Sequence, residues 1–364
     1  MVKIRAAVFR DQSLKPSIED LELDGPGEGE VLVRIVATGV CHTDLMIAGP
    51  YGRSPRPVVL GHEGAGIIEA VGSGVTNLVK GDHVIMTFTS CGHCPSCLDA
   101  EPAYCYTTDH FACTRPDGSH YLKGKEGPVH GDFFNQSSFA TYALGKQRGI
   151  VKIRQDAPLK TLAPLGCGMQ TGAGAVLNVF KIQPGQTLVV FGAGSLGLAA
   201  VMAAKIAGAG KIIAVDLHEN RLELATELGA HEVIHSDGTS VSGRILEILP
   251  DGADFTFDTT GVKPVMRDAI DALAHRGTFG FAAPPEDGSE LSISMQPLMK
   301  GRKIIGIIEG NSNPDVFLPQ LADFYIDGKF PLDKMIKYYP FDDIEQAFHD
   351  SHAGTTVKPV LVMD

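Results

Sequence analysis

The chain has no excess of positive charge: 31 lysines and arginines stand against 43 aspartates and glutamates, a formal net charge of −12 with the two signs interspersed. That balance disfavours nucleic acid or an anionic membrane surface as the main partner and favours solubility. The first residues, Met1-Val2-Lys3-Ile4-Arg5, run into charged sequence without an apolar signal core. There is no internal repeat and no low-complexity segment. Cysteines come as an odd set of seven, four of them clustered. A disulfide framework is therefore less favoured than metal ligation, and a reducing cytoplasm is the expected compartment. One uncharged run, the 18 residues Thr187–Ala204, approaches the roughly 20 residues of a membrane helix. Its three glycines fit a buried strand, a turn and a buried helix face better.

What is present supports two domains: 364 residues, of which 44% are hydrophobic, suffice for two cores. The most informative stretch is TLVVFGAGSLGLAAVMAAKIAGAGKIIAVD at Thr187–Asp216. An apolar run ends in Gly192-Ala193-Gly194-Ser195-Leu196-Gly197, a long apolar segment follows, and a second β-rich run closes on Asp216. This is the strand, glycine turn, helix, strand order of a dinucleotide-binding unit. Gly192 permits the tight turn, Gly194 lets backbone approach a pyrophosphate, and Gly197 lets the helix pack on the strand. The helix N-terminus offers N–H groups to the phosphates. Asp216 is placed to accept from both ribose hydroxyls of NAD and to repel a 2′-phosphate.

Around this unit the pattern changes twice. Residues 1–37 read as β structure with a turn at Gly25–Gly29 and a strand at Val31–Ala37; another strand covers Ala65–Val71. Residues 88–136 have few periodic apolar positions and read as loops, a length that is functional or pinned by something. From about 170 onward, helices at Arg221–Leu228, Gly243–Leu249 and Val265–Leu273 alternate with strands at Val233–His235, Phe255–Asp258 and Thr278–Ala282. That alternation predicts a doubly wound parallel α/β sheet. The division expected is 169–308 for the dinucleotide-binding domain, with 1–168 and 309–364 forming a β-rich domain.

Cys91, Cys94, Cys97 and Cys105 give C-x2-C-x2-C-x7-C within 15 residues. Four thiolates at that spacing close a tetrahedron around one zinc, which would order the loop. A [4Fe–4S] cluster is the alternative, but its fourth cysteine comes after three residues and precedes proline. Here Tyr106 follows Cys105. His93 and Cys113 read as ordinary loop residues. A second, dispersed set is Cys41-His42-Thr43-Asp44, Gly61-His62-Glu63-Gly64 and Gly166-Cys167-Gly168. Spacing alone does not distinguish it from small buried residues and a satisfied core histidine. Soft sulfur and nitrogen ligands at three positions would leave a fourth position open.

Taken in order, GHEGAGIIEAVGSGV at 61–75, GDHV at 81–84, the four-cysteine loop, GCGMQTGAGA at 166–175, GAGSLG and Asp216 resemble the zinc-dependent alcohol dehydrogenases of the medium-chain dehydrogenase/reductase superfamily. HGDFFNQSSFATYA at 130–143 is most similar to the aryl (benzyl) alcohol branch. The resemblance implies a Rossmann domain joined to a GroES-like catalytic domain, two zincs per chain, and NAD. It makes Cys41, His62 and Cys167 the catalytic zinc ligands, the ligand set that is the type case for alcohol dehydrogenase. Glu63 would lie behind the metal, Asp44 would orient His62, and Thr43 would bond the substrate oxygen. His42 and Lys358 would face the cofactor pyrophosphate, Arg221 the adenosine ribose and Thr171 the nicotinamide ribose. Some members carry a histidine five residues past the first cysteine ligand that ends a proton relay; this chain has Met46. The implied substrate is a small alcohol or aldehyde and the implied assembly a homodimer or homotetramer. Sugar, polyol or glutathione-adduct dehydrogenases, a lyase with idle NAD, and a non-catalytic zinc and nucleotide binding protein are the alternatives. Phe88, Phe111, Phe134 and Phe139 are candidates either for a pocket lining or for core packing.

Overall fold

The computed structural model describes the chain apart from residues 51, 53, 116, 284–287 and 364. Two compact units form: Met1–Cys167 with Asn313–Asp327 and Leu332–Asp364, and Gly168–Ser312 with Gly328–Pro331. Residues 309–312, set in the first domain by the sequence reading, group with the second unit because Glu309 and Ser312 bond Gln170.

Unit 1 is built on two sheets. The strand Glu30–Gly39 is buried along nearly all its length, with only Arg34 exposed. A strand covered on both faces loses the apolar–polar alternation, which is why Val31-Leu32-Val33 and Ile35-Val36-Ala37 flank the single charge of Arg34. It pairs antiparallel with Gly64–Val71 on one side. On the other side Tyr142–Lys146 lies along its first half and Lys358–Val362 along its last residues. The C-terminal strand thereby starts beside the residues that lead into Cys41. A smaller sheet holds Val2–Phe9, Ser17–Leu23, Val58–Val59 and the hairpin Leu122–Gly124/Gly127–Val129. An apolar core that includes Phe9, Phe88, Phe133, Phe139 and Phe348 lies within the unit. Among the described residues of 88–136, that hairpin and the short helical turn Pro95–Leu98 stand among loops, turns and 3-10 segments.

Unit 2 carries one parallel sheet of six strands: β1 (Thr187–Phe191), β2 (Lys211–Asp216), β3 (Glu232–His235), β4 (Ala253–Asp258), β5 (Leu273–Phe281) and β6 (Lys303–Gly306). Their spatial order is 3-2-1-4-5-6, the order of the dinucleotide-binding fold, with the switch point between β1 and β4. The uncharged run is β1, the glycine turn and most of the helix Ser195–Ala207, which Gly208 ends with φ 78°. Among the described residues no helix is long and apolar enough to cross a membrane. The three helices after β2 form as Glu219–Leu228, Ser242–Ile248 and Lys263–Asp271, within two residues of their expected starts. Strand β6 is at the edge of the sheet, and Ile304 and Ile308 are exposed there.

Candidate active site and metal centres

The sulfurs of Cys91, Cys94, Cys97 and Cys105 all lie within 4.8 Å of one another. Cys94 stands at the N-cap of Pro95–Leu98, so one short helical turn places both Cys94 and Cys97. The sulfurs accept from backbone: Cys94 N–H donates to Cys91 Sγ at 3.3 Å and Cys91 N–H to Cys105 Sγ at 3.3 Å. The Thr107 hydroxyl and the His93 and Cys94 N–H groups bring the Cys91 thiol down to about 7. Burial opposes the same effect at Cys105, yet the Thr108 hydroxyl and the Cys91 N–H hold it at about 5. Cys97 is pushed up to about 11 by burial. Donors aimed at sulfur favour thiolates, the form that binds metal. His93 turns its Nδ1 to Cys91 O at 3.0 Å and Cys113 is buried elsewhere, so neither enters the cluster.

The second cluster is Cys41, His62, Glu63 and Cys167, with donor atoms within 4.8 Å of one another and every residue buried. Each arrives by a local device. Cys41 is the N-cap of the helix His42–Ala48. His62 follows Gly61, at φ +94°, where a Cβ would lie 2.5 Å from Phe139 N. Cys167 follows Gly166, where a Cβ would lie 2.2 Å from Met86 O. Asp44 ties the first two together: Cys41 N–H donates to its Oδ2 at 2.9 Å, Gly61 N–H to its Oδ1 at 3.1 Å, and His62 Nδ1 to the same Oδ1 at 3.0 Å. The proton on Nδ1 leaves Nε2 as the basic nitrogen. That Nε2 is buried and has no hydrogen-bond partner among the described residues. An unmet polar atom of this kind costs roughly 1–3 kcal/mol, which a metal ion beside two sulfurs would offset. The donor set therefore fits a borderline-soft cation such as zinc. The neighbouring Cys167 thiol, together with His62, holds Cys41 well below the ordinary thiol range.

Thr43 Oγ1 lies 3.7 Å from Cys41 Sγ, at the rim of the cluster. His42 and Met46 are exposed on the same helix. Lys358 is 1% exposed, and its Nζ donates to both Glu63 oxygens at 3.0 and 2.9 Å and to Val40 O at 3.2 Å. The antiparallel pairing of its strand with Glu30–Gly39 carries it inward. Gly39 leaves the room, since a Cβ there would lie 1.9 Å from Glu63 Oε2. Burial raises Glu63 and Lys358 opposes that. Breaking one partner of such a buried pair costs on the order of 3–5 kcal/mol.

An aromatic wall stands against His62. Phe134 stacks on its ring at 4.6 Å and Phe133 meets it edge-on at 5.4 Å. His110 stacks on Phe134 at 4.9 Å, and Phe111 abuts Phe134 edge-on at 5.5 Å. Of the four phenylalanines singled out in the sequence, Phe134 touches the imidazole. Phe139 packs on Phe348 in the core, and Phe88 is buried next to His110. Phe133 and His110 carried no sequence signal beyond their residue type.

In unit 2 the three glycines differ in what surrounds them. Gly192 has φ +92°; a Cβ on Gly197 would lie 1.8 Å from Gly192 O, whereas beside Gly194 the space is open. Ser195 and Leu196 open the helix there. Ala193 N–H donates to Asp216 Oδ2 at 2.6 Å and His218 N–H to Oδ1 at 2.9 Å, so the acid that ends β2 also shapes the turn after β1. Arg221 Nη1 is 4.0 Å from Asp216 Oδ2. Thr171 is buried, with Oγ1 3.5 Å from Glu309 Oε2.

Residues 27–155 match the family model described as "Alcohol dehydrogenase GroES-like domain", and residues 195–324 match "Zinc-binding dehydrogenase". Geraniol dehydrogenase of Castellaniella defragrans is 40% identical over 99% of this chain and 98% of that protein. The crystal structure of an alcohol dehydrogenase zinc-binding domain protein from Burkholderia ambifaria superposes with a TM-score of 0.98 at 46% identity, covering 100% of this chain and 99% of that one. That of benzyl alcohol dehydrogenase from Acinetobacter calcoaceticus gives 0.96 at 42% identity, covering 100% of both chains.

Proposed function

This chain belongs to the zinc-binding alcohol dehydrogenases, and on that premise we propose that it moves a hydride between NAD and a primary aryl or allylic alcohol, using one of two zincs per chain. The observation that carries this reading is the buried Cys41/His62/Cys167 set, with Nδ1 of His62 fixed by Asp44 and Nε2 left for a ligand. Bound zinc supplies a Lewis acid that makes an alcohol hydroxyl acidic near neutral pH, and bound NAD supplies the hydride acceptor.

The chain's own residues do the rest. Cys41, His62 and Cys167 hold the catalytic ion, while Cys91, Cys94, Cys97 and Cys105 hold the other. Asp44 keeps the imidazole in one tautomer and one orientation. Thr43, at the cluster rim, takes the hydroxyl proton at Oγ1. With Met46 in place of a histidine, His42 or water would carry that proton outward. Gly192, Gly194 and Gly197 with Ser195 and Leu196 receive the pyrophosphate, Asp216 accepts from the ribose hydroxyls beside Arg221, and Thr171 supports the nicotinamide ribose.

The aryl or allylic assignment is supported by the two named relatives, since geraniol and benzyl alcohol both carry their hydroxyl one carbon from an sp2 carbon. The aromatic wall of Phe133, Phe134 and Phe111 suits a flat, unsaturated substrate. A kcat/KM panel of benzyl, cinnamyl, terpenoid and short aliphatic alcohols with NAD and NADP tests this. The expected order is benzyl and cinnamyl first, with NAD ahead of NADP. Equal kcat/KM across the alcohols rejects the substrate class, and equal use of both cofactors rejects the role of Asp216.

A further inference from the structure

Three successive residues beyond β6 have positive φ: Glu309 at 48°, Gly310 at 63° and Asn311 at 47°. A residue other than glycine is strained there, and the conformation persists only where the surroundings over-determine it. Here they do. A Cβ on Gly310 would lie 2.4 Å from Gln170 O, and one on Gly174 would lie 2.3 Å from Gly310 O. Asn178 Nδ2 donates to Gly310 O at 3.1 Å. Ser312 Oγ donates to Gln170 Oε1 at 2.8 Å, which fixes the amide so that its Nε2 donates to Glu309 Oε2 at 3.2 Å. Thr171 Oγ1 donates to the same oxygen. Glu309 is thus an acid of which 8% is exposed, clamped in place with its Oε2 accepting from both Gln170 and Thr171.

Its place in the sheet gives this acid a meaning. In the order 3-2-1-4-5-6 a dinucleotide lies across the carboxyl ends of the strands. The turn after β1 takes the pyrophosphate and the acid that ends β2 takes the adenosine ribose, so the half made of β4, β5 and β6 receives the other nucleotide. In NAD that end is the nicotinamide, cationic when oxidised and neutral once it has accepted hydride. The Glu309 arch stands just past the carboxyl end of β6. Resting on the dinucleotide reading above, we propose that the Glu309 carboxylate makes the site selective for the oxidation state of its cofactor, favouring the cationic nicotinamide of NAD over the neutral ring of NADH. Gln170 and Ser312 hold the acid at its station.

The test is the pair of dissociation constants for NAD and NADH, measured by calorimetry on the full zinc-loaded chain, for the unmodified protein, Glu309→Gln and Glu309→Asp. Removing the charge should weaken NAD relative to NADH by on the order of tenfold, the scale of a partly screened attraction between two unit charges. The aspartate variant keeps the charge and should keep the unmodified ratio even if both affinities fall. Equal losses for both forms in Glu309→Gln, or an altered ratio in Glu309→Asp, overturn the proposal while leaving the dinucleotide reading intact. An unmodified chain that binds neither form removes the dinucleotide reading and this proposal with it.

Discussion

The two cysteine clusters differ in nearly every respect that matters for chemistry. The Cys91–Cys105 set lies in one 15-residue loop, uses sulfur alone, and is partly open to solvent. Its donors come from the loop's own backbone and threonines. The Cys41/His62/Glu63/Cys167 set is gathered from three distant parts of unit 1, mixes sulfur, nitrogen and oxygen, and is wholly buried. A carboxylate on one side and aromatic rings on the other fix its imidazole. Four like ligands closed around an ion stiffen a loop. Two thiolates and one supported imidazole leave a fourth position for a substrate.

That contrast is broken most severely at Cys167. Cys167→Ser should lower turnover by on the order of 10³-fold or more, because Lewis-acid polarisation supplies several kcal/mol, while thermal unfolding stays close to the unmodified midpoint. Steady-state kinetics beside a calorimetric melt checks both halves. Thr43→Ala should cost about 10²-fold in kcat through lost proton transfer, with zinc content unchanged. A near-normal kcat in that variant would place the proton path elsewhere. Asp44→Asn keeps the shape but not the charge and should lose about 10–100-fold in metal affinity or activity, read by competition with a chelator. Met46→His should give the smallest change: a modest gain in oxidation at low pH or none, seen as an altered response to buffer concentration.

The clusters also differ in how far the sequence alone discloses them. The four-cysteine loop and the glycine turn are local, so spacing and the change of period identify them. The dispersed set gains meaning only through family resemblance, since neighbouring glycines say that backbone approaches closely but not what approaches. The Lys358–Glu63 pair is not legible locally, because the partners lie 295 positions apart and strand pairing alone decides where the lysine side chain points. Glu309 escaped notice because an acid after the apolar run Ile304–Ile308 looks like the solvated end of a strand. Its burial follows from the Gly174–Gly310 approach, which no local pattern announces. Phe134 reads as either pocket lining or core and Phe133 carries no signal beyond its residue type, so their packing against His62 is a tertiary fact.

Zinc per chain, determined by elemental analysis together with turnover on the unmodified protein, Cys94→Ser and Cys167→Ser, tests the division of labour most directly. Two zincs are expected in the unmodified protein. One should remain in Cys94→Ser, with reduced thermal stability but turnover retained by the folded fraction. One should remain in Cys167→Ser, with the fold intact and turnover gone. A single zinc in the unmodified protein, or full turnover in Cys167→Ser, would contradict the account.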